Sequence, residues 1–376
     1  MTSPKSGTAR TRKASAELAK EAATATPPVP GQTPKRAIVL GAGGVLGFAW
    51  TLGALSALED VTGFDAREVD VAVGTSAGSV AAGLLGCGLP VEAICRHHQG
   101  VPAPGDPALD YDYDHATGGG LPPRPGWRPG SPRLLLDSLR HPTRMSPIVA
   151  LSGLLPTGKG TLGPVHDLLA AVADEAGFSD EWPARPRPWI VTADYRTGQR
   201  VVFGRDDFVA RKGGVPRVVR RARLADAVTA SCSIPAWYPP MYIGGVPYID
   251  GGTASNASVD VLLGTSVEEV YVLAPMASVD ADRGTTVLAR LERAVRRGIT
   301  KGILEDVAAL RAQGVRVCVV TPEPEDLAAM GLNLMNPQRR TQVLETARRT
   351  AARQLRRQLA GRPPVSRPVT AGESSA

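Results

Sequence analysis

The sequence contains few cysteines, few aromatic residues and no long apolar run. Its four cysteines form no C-x-x-C pair and no other metal-ligand spacing, which excludes the common zinc and redox motifs. We therefore expect reduced thiols and neither a metal nor another cofactor. No stretch of about 20 apolar residues is present, so the sequence predicts no membrane-spanning helix. The N-terminal residues lack the apolar segment of a signal peptide, which favours a cytoplasmic protein.

Neither sign of charge dominates the sequence. There are 43 Lys and Arg residues against 36 Asp and Glu residues, which gives a formal net charge of +7. This excess permits peripheral attraction to an anionic membrane surface. The basic residues are not interleaved with aromatic residues, and no nucleic-acid-binding module is recognisable, so we expect no nucleic-acid partner.

Histidine is scarce and unevenly distributed. The five histidines are His97, His98, His115, His141 and His166, and residues 167–376 contain none. A catalytic histidine from the second half of the chain is therefore excluded. Any mechanism that takes its base from that half must use a carboxylate or another side chain.

Three short glycine-containing segments are the most informative part of the sequence. Residues 74–78 (GTSAG) have the G-x-S-x-G spacing of a serine on a sharp strand-to-helix turn. Residues 41–47 (GAGGVLG) can offer consecutive backbone N–H groups to an oxyanion. Residues 250–252 (DGG) can place a carboxylate on a turn. Together the three segments indicate a serine acyl hydrolase.

The first of these segments also has a second interpretation. Gly41 and Gly43 fit the G-x-G-x-x-G fingerprint of dinucleotide binding. The third glycine of that fingerprint would fall on Leu46, however, and Gly47 comes one residue late. This mismatch and the serine turn downstream favour the hydrolase.

The absence of late histidines affects the choice of the base that activates Ser76. The α/β-hydrolases order their triad as Ser, acid and His along the chain, and no histidine follows Asp250. A triad with His166 would need an acid between residues 76 and 166, in a stretch rich in Pro and Gly. A carboxylate that acts directly on the serine is the simpler interpretation, and a Ser-His-Asp esterase is the first alternative.

This combination of motifs resembles the patatin-like phospholipase family. That family has a glycine-rich oxyanion loop after the first strand, a G-x-S-x-G turn, and a D-G-G or D-G-A motif, in the order found here. Residues 227–235 (AVTASCSIP) and 238–240 (YPP) are also similar to the family's stretch before its aspartate. The resemblance extends over residues 35–321. It implies a three-layer α/β/α fold with a mostly parallel central sheet, and cleavage of the carboxylic esters of phospholipids or acylglycerols.

The resemblance implies a role for each motif. Ser76 and Asp250 would form a catalytic dyad, with Ser76 forming an acyl-enzyme and Asp250 acting as the base. The backbone N–H groups of Gly43, Gly44 and Val45 would form the oxyanion hole. The glycines that support these motifs are Gly74, Gly78, Gly251 and Gly252. A carboxylate with the ordinary pKa of about 3.9 is a weak base, so Asp250 would need partial burial.

Two positions depart from the family's oxyanion loop, which usually reads Gly-Gly-Gly-x-(Arg or Lys)-Gly. Ala42 replaces the first glycine and Leu46 replaces the basic residue. Both changes keep the backbone donors, but the second removes a cation from the loop. A catalytically silent lipid-binding protein with this fold is therefore the second alternative.

Composition divides the chain into an arm, a domain and a tail. Residues 1–34 and 362–376 are polar and contain prolines, so we predict a disordered N-terminal arm and a disordered tail. Residues 35–361 form the predicted hydrolase domain. Within it, residues 101–162 are rich in Pro and Gly and predict a variable insert or cap near the acyl site.

Apolar runs and helical periodicity predict the elements of the domain. Strands are predicted at residues 36–40, 69–73, 188–193, 200–204, 270–274 and 315–320. Helices are predicted at residues 48–58, 79–85, 165–176, 286–313 and 337–359. The alternation of strand, loop and helix favours a parallel sheet with helices on both faces.

The last predicted helix combines an apolar stripe with many arginines. The stripe consists of Val343, Ala347, Ala351, Leu355 and Leu359. The arginines are Arg339, Arg340, Arg348, Arg349, Arg353, Arg356 and Arg357. We expect the stripe to pack against the domain, and a basic face that contacts anionic lipid is the alternative.

Overall fold

The computed structural model describes residues 34–109, 111–112, 155–204, 217–219, 222–279 and 287–360. The predicted disordered arm, apart from residue 34, and the predicted tail lie outside the described residues. Of the predicted insert, residues 101–109, 111–112 and 155–162 are described. The division into arm, domain and tail therefore stays a prediction.

The described strands form one mixed sheet. They are β1 (Arg36–Leu40), β2 (Val71–Thr75), β3 (Arg187–Asp194), β4 (Arg200–Phe203), β5 (Arg217–Val219), β6 (Met241–Ile243), β7 (Val246–Asp250), β8 (Glu269–Leu273) and β9 (Arg316–Val320). The order across the sheet is β5-β4-β3-β2-β1-β8-β9, and β7 pairs with β3 and with β6. The pairs of β1 with β2 and β8, β2 with β3, β8 with β9, and β4 with β5 are parallel. The sheet is therefore mostly parallel, and the remaining pairs of β3 with β4 and β7, and of β6 with β7, are antiparallel.

The described helices are α1 (Gly44–Thr62), α2 (Ala77–Gly86), α3 (Val91–Gln99), α4 (Gly163–Glu175), α5 (Leu224–Ser231), α6 (Val287–Arg311), α7 (Pro324–Met330) and α8 (Arg340–Leu359). They cover both faces of the sheet. Because neighbouring residues of a strand point to opposite faces, β1 places Ile38 and Leu40 in one core, and Ala37 and Val39 in the other. Side chains from α1–α5, α7 and α8 complete the first core, and α6 packs on the second. The three-layer α/β/α fold expected from the sequence is confirmed.

Two element boundaries near the serine motif differ from the prediction. The strand β2 continues to Thr75 instead of ending at residue 73, so Ser76 follows it directly. The helix α1 begins at Gly44 instead of residue 48, so Gly44 and Val45 lie in a helical turn. Glycine has low helix propensity, which conceals this start in the sequence.

The sequence does not predict α3, α5, α7 or the hairpin of β6 and β7. The three helices have 9, 8 and 7 residues, which is short for a periodic signal. The hairpin turns at Gly244 and Gly245, and Pro247 lies within β7. Asp250 is the last residue of β7. The carboxylate expected on a turn is therefore anchored at the end of a strand.

The apolar stripe of α8 packs as expected. Val343, Ala347, Ala351 and Leu355 are fully buried, and the helix lies against α1. The two backbones approach closely at Gly53, where an added Cβ would lie 2.2 Å from the carbonyl oxygen of Leu344.

Most arginines of the final helical segment bind groups of the protein itself. Arg348 pairs with Asp60 and Glu92, and Arg353 pairs with Glu323 and Glu325. The same segment contributes three further contacts, which are Arg357 with Glu323, Arg340 with the carbonyl of His98, and Arg339 with the carbonyl of Ala329. These contacts leave little of the predicted basic face for a lipid surface.

Two glutamines of α8 bond the backbone at the end of β9, the last strand in the sheet order, and at the residue that follows it. The amide group of Gln358 accepts the N–H of Val319 at 3.1 Å and donates to its carbonyl at 2.7 Å. Gln354 makes the same pair of bonds with Thr321, at 3.2 and 2.8 Å. The outward polar groups at this end of β9 are thereby satisfied by side chains.

Candidate active site

Ser76 lies on a tight turn between β2 and α2. Its φ of 53° and ψ of −124° place a non-glycine residue in the left-handed region, which costs roughly 1–3 kcal/mol. The flanking glycines permit the turn: a Cβ added at Gly78 would lie 2.0 Å from the carbonyl oxygen of Leu40, and one at Gly74 would lie 2.5 Å from the Cα of Ser79. Only glycine fits at these two positions. This is the strand-to-helix geometry that the G-x-S-x-G spacing predicts.

The pairing of β3 brings Ser76 and Asp250 together. Thr75, at the end of β2, pairs with Val191 of β3. The next residue of β3, Thr192, pairs with Asp250 at the end of β7. The strands β2 and β7 therefore meet end to end beside β3, with Ser76 and Asp250 at the junction. The side chain of Ser76 lies near enough to the Asp250 carboxyl group to lower its pKa.

The Asp250 carboxyl group is buried and hydrogen-bonded. Its residue is 5% exposed, and burial raises its pKa to about 6. The neighbouring Ser76 side chain and the hydrogen bond from the N–H of Gly252, at 2.6 Å, both oppose this rise in pKa. Gly251 is required beside it, because an added Cβ would lie 2.3 Å from the carbonyl oxygen of Val191. A carboxylate with this pKa is a stronger base than an exposed aspartate.

The glycine-rich segment before α1 leaves three backbone donors unused. The N–H groups of Gly41, Ala42 and Leu46 each bond a backbone carbonyl at 2.9 Å. The N–H groups of Gly43, Gly44 and Val45 find no acceptor among the described residues, as expected at the start of a helix. Both Gly44 and Val45 line the same pocket as Ser76. The candidate oxyanion donors are thus the ones that the fold leaves available.

The backbone of this segment is packed too closely for other residues. A Cβ at Gly43 would lie 2.7 Å from the Cα of Gly47 and 2.9 Å from the ring of Pro275. Gly44 has a φ of +62°. Leu46, which stands where the family usually has a cation, is fully buried in the apolar core. An apolar side chain in place of the usual basic one is therefore accommodated, because Leu46 packs in the core.

The described histidines have other partners or are uncharged. His166 contacts Asp226 at 3.1 Å and Asp167 at 3.3 Å. His97 contacts the carbonyl of Pro107 at 2.6 Å. His98 lines the pocket, and burial together with Arg340 lowers its pKa to about 3. His115 and His141 lie outside the described residues.

A largely apolar pocket, partly open to solvent, adjoins Ser76. Its lining comes mainly from α1, α2, α4 and the segment after α5. The lining residues are Gly44, Val45, Phe48, Ser76, Ala77, Val80, Leu84, His98, Tyr111, Leu162, Val165, Leu168, Cys232, Ile234, Tyr238 and Met335. Such a pocket suits the hydrocarbon chain of an acyl group. Tyr111 and Leu162 belong to the predicted insert, of which residues 110 and 113–154 lie outside the described residues.

The sequence analysis did not identify the residues of this pocket. Ala77, Val80 and Leu84 follow Ser76 along one face of α2. Their spacing of three and four residues is a signal that could have been read from the serine onward. The contributions of Phe48 and Leu168 depend on how separate helices pack, which one sequence does not give.

Within the described residues, the structure contains neither a candidate metal site nor a helix that could span a membrane. No group of His, Cys, Asp and Glu side chains within them is arranged to hold a metal ion. None of the helices in the described ranges has the length and apolarity to cross a bilayer. All four cysteines are buried and free.

The fold and the turn at Ser76 define an α/β protein that places a serine between a strand and a helix, at the carboxyl edge of its sheet. The model of the patatin-like phospholipase family matches residues 38–263, more than half of the chain, and the chain belongs to this family. Membership implies a lipid acyl hydrolase, as the motifs predicted.

Solved structures with similarity to this chain include two bacterial effectors. VipD from Legionella pneumophila is 12% identical, with a TM-score of 0.37, and the match covers 86% of this chain and 67% of VipD. The type III effector protein ExoU is 16% identical, with a TM-score of 0.32, and the match covers 89% of this chain and 54% of ExoU. The chain therefore spans only about half to two thirds of these proteins. A comparison with curated protein sequences finds no significant match.

Proposed function

We propose that the protein cleaves carboxylic esters of phospholipids or acylglycerols through a Ser76–Asp250 dyad and an acyl-enzyme. The observation that supports this most is the placement of the strained Ser76 beside the buried Asp250, whose pKa it lowers, next to an apolar pocket. A serine in an ordinary glycine-rich turn needs neither a buried carboxylate nor a pocket.

In the first half of the reaction, Asp250 removes the hydroxyl proton of Ser76 as Oγ attacks the ester carbonyl carbon. The carbonyl oxygen becomes an oxyanion that accepts hydrogen bonds from the N–H groups of Gly43, Gly44 and Val45. Such donors act strongly because they are fixed before the charge develops. Collapse of the intermediate breaks the ester C–O bond, and the proton on Asp250 passes to the departing alcohol.

In the second half, water replaces the alcohol. Asp250 takes a proton from the water as its oxygen attacks the acyl carbon, and the same backbone donors bind the second oxyanion. Collapse releases the fatty acid and returns the proton to Ser76. The pKa of about 6 lets Asp250 accept a proton more readily than an exposed aspartate and still be ionised at neutral pH.

The pocket supports a lipid ester over a small polar one. An acyl group attached to Ser76 would extend between α1, α2 and α4, where Phe48, Val80 and Leu168 provide apolar contacts. We further propose that the protein reaches its substrate by peripheral contact with an anionic lipid surface, which its net charge of +7 favours.

Labelling with a fluorophosphonate probe tests the proposal, because only an activated serine reacts. We expect the wild-type protein to be labelled and to hydrolyse a short-chain ester, and Ser76→Ala to do neither. Ser79→Ala is the matched control, since it removes the other serine hydroxyl of the same turn. Labelling of Ser76→Ala would show that Ser76 is not the serine that reacts with the probe. A wild-type protein that binds lipid vesicles without labelling would support the catalytically silent alternative.

A single inactive but folded His→Ala variant would favour the Ser-His-Asp alternative instead. His166→Ala is the decisive case, because its contact with Asp226 lies on α4 and α5, apart from the Ser76–Asp250 pair. We expect this variant to keep nearly full activity.

A further inference from the structure

The end of α5 and the turn after it bond the backbones of both proposed catalytic residues. This segment consists of Ser231, the last residue of α5, and of Cys232 and Ser233, within the stretch similar to the family's run before its aspartate. The Oγ of Ser231 accepts the N–H of Ser76 at 2.8 Å. The carbonyl of Ser233 accepts the N–H of Asp250 at 3.0 Å. One short segment therefore holds the nucleophile and the base in place together.

The hydroxyl of Ser231 has a fixed direction. It also donates to the carbonyl of Val191 at 2.6 Å. A hydroxyl has one donor position and two acceptor positions, an amide can only donate, and a carbonyl can only accept. The hydrogen of Ser231 must therefore point to Val191, and a lone pair must face Ser76. Ser231 is fully buried, so water does not compete for either bond.

The bond from Ser231 to Val191 is significant because of the place of Val191 in the sheet. Val191 pairs with Thr75, the residue directly before the nucleophile, and the next residue of β3 pairs with Asp250. Ser231 thus ties the N–H of Ser76 to the point on the central strand where β2 and β7 meet.

The N–H of Ser76 has fewer hydrogen-bond partners than its carbonyl, so the backbone of Ser76 depends most on the bond from this N–H to Ser231. A residue in a strained conformation keeps it only where surrounding contacts hold it. The carbonyl of Ser76 accepts both the N–H of Ser79, at 2.7 Å, and its hydroxyl, at 2.6 Å. For the N–H of Ser76, the described part of the chain provides one acceptor, the Oγ of Ser231.

We propose that Ser231 is a positioning residue that holds the Ser76 backbone in its left-handed turn and so aims the Ser76 hydroxyl at Asp250. The proposal rests on the function proposed above. Without the Ser231 hydroxyl, the N–H of Ser76 would be buried without an acceptor. Rotation of the peptide between Thr75 and Ser76 relieves this, and it turns Oγ away from the carboxylate.

Ser231→Ala tests the proposal, with Ser79→Ala as the matched control. Each removes a buried serine hydroxyl that bonds the Ser76 backbone, but the control leaves the Ser76 carbonyl bonded to the N–H of Ser79. For a short-chain ester we expect Ser231→Ala to lower kcat on the order of 100-fold, the effect of a displacement of about 1 Å. KM should change little, because the pocket is intact, and the control should stay near the wild-type kcat.

The pH profile provides a readout that a purely structural role would not change. The Ser76 side chain lowers the pKa of Asp250, so turning it away should move the acidic limb of kcat/KM to higher pH. Among the described residues, the titratable neighbour that interacts with this carboxylate is Cys232. Burial raises the pKa of the Cys232 thiol to about 12, so it stays neutral across the measured range.

Equal kcat values for Ser231→Ala and Ser79→Ala, or a loss confined to KM, would overturn the proposal. If the alanine variant does not fold, Ser231→Cys replaces it under the same criteria, since a thiol keeps the volume but is a weaker acceptor. A crystal structure of the variant gives an independent test. The φ of Ser76 should leave the left-handed region, and an unchanged φ overturns the role of Ser231 even if the wild-type protein hydrolyses nothing. Failure of the wild-type protein to hydrolyse esters counts against the proposed function only.

Discussion

Ser76 combines a strained backbone with a side chain that the proposed reaction needs. Its φ of 53° and ψ of −124° suit glycine better than any other residue. Ser76→Gly should therefore lack activity and yet be more stable than Ser76→Ala, which keeps the strain. We expect a difference of about 1–2 kcal/mol, the strain relieved less the entropy that glycine adds to the unfolded chain. Denaturant unfolding of the two variants measures it, and equal midpoints would contradict the strain.

The burial of Asp250 predicts the pH dependence of the reaction. A base must be unprotonated, so kcat/KM should rise with pH through a midpoint near the Asp250 pKa of about 6. Asp250→Asn keeps the shape but removes the charge, and should lower kcat by about 100- to 10,000-fold. A pH–rate profile on a short-chain ester checks both, and a midpoint near the ordinary aspartate value would contradict the burial.

The raised pKa of Asp250 also predicts how stability depends on pH. As the pH rises, activity should increase whereas the folded protein should become less stable. The folded-state pKa of about 6 lies above the ordinary aspartate value of 3.8, so ionisation of Asp250 destabilises the folded protein progressively as the pH rises between these two values. Asp250→Asn removes this penalty, which is at most about 3 kcal/mol. The variant should be more stable than the wild-type protein above about pH 7 and equal to it below about pH 4. Thermal unfolding at both pH values measures the difference, and an equal gain at both would exclude the carboxyl as its source.

At the scale of elements, three helices define the depth of the acyl pocket. α1 and α2 both begin at the carboxyl edge of the sheet, where Gly44 and Ser76 lie. α4 also starts there, because it precedes β3, which runs parallel to β2. Along α2, the distance from Ser76 to Leu84 is about 12 Å. An extended chain advances about 1.2 Å per bond, so an acyl chain that follows α2 would reach Leu84 after roughly ten carbons.

Leu84→Ala should shift the preference of the enzyme toward longer acyl chains. Removing this side chain deepens the pocket, and we expect the rate on a hexadecanoate ester to rise about tenfold relative to a decanoate ester. Leu85→Ala is the control, because Leu85 is equally buried but does not line the pocket. Both variants lose about 2–5 kcal/mol of stability, so only a change in the ratio is informative. The same ratio in both variants would contradict the assigned depth.

The sequence predicts some elements of this site well and others poorly, for identifiable reasons. β1 and β8 are buried on both faces, and their continuous apolar runs identify them. The need for glycine at positions 74 and 78 could be predicted, because the backbone is crowded in any G-x-S-x-G turn. The hairpin that presents Asp250 is not predicted, because its pairing with β3 is a long-range contact that local pattern does not record. The link from Ser231 to Ser76 spans 155 residues and was missed for the same reason.

At the scale of the whole molecule, the net charge of +7 predicts binding to anionic vesicles that weakens as salt rises. The final helix should contribute little to it. Most of its arginines bind carboxylates or carbonyls of the protein, and Arg349 and Arg356 are the exposed ones that have no such partner among the described residues. Vesicle flotation with the double variant Arg349→Ser and Arg356→Ser should give nearly wild-type binding. A loss of more than about 1 kcal/mol per arginine would instead favour the basic-face alternative.

The bonds from Gln354 and Gln358 cover the outer edge of the sheet at Val319 and Thr321, and we expect them to limit aggregation when the protein is heated. An uncovered edge strand offers its N–H and C=O groups to a strand of another molecule, which is a route to aggregation. Replacing both glutamines by leucine should lower the temperature at which light scattering begins by more than it lowers the unfolding midpoint. Gln338→Leu, an exposed position before α8, is the control and should change neither. The last described helix would then also prevent the sheet of one molecule from pairing with the sheet of the next.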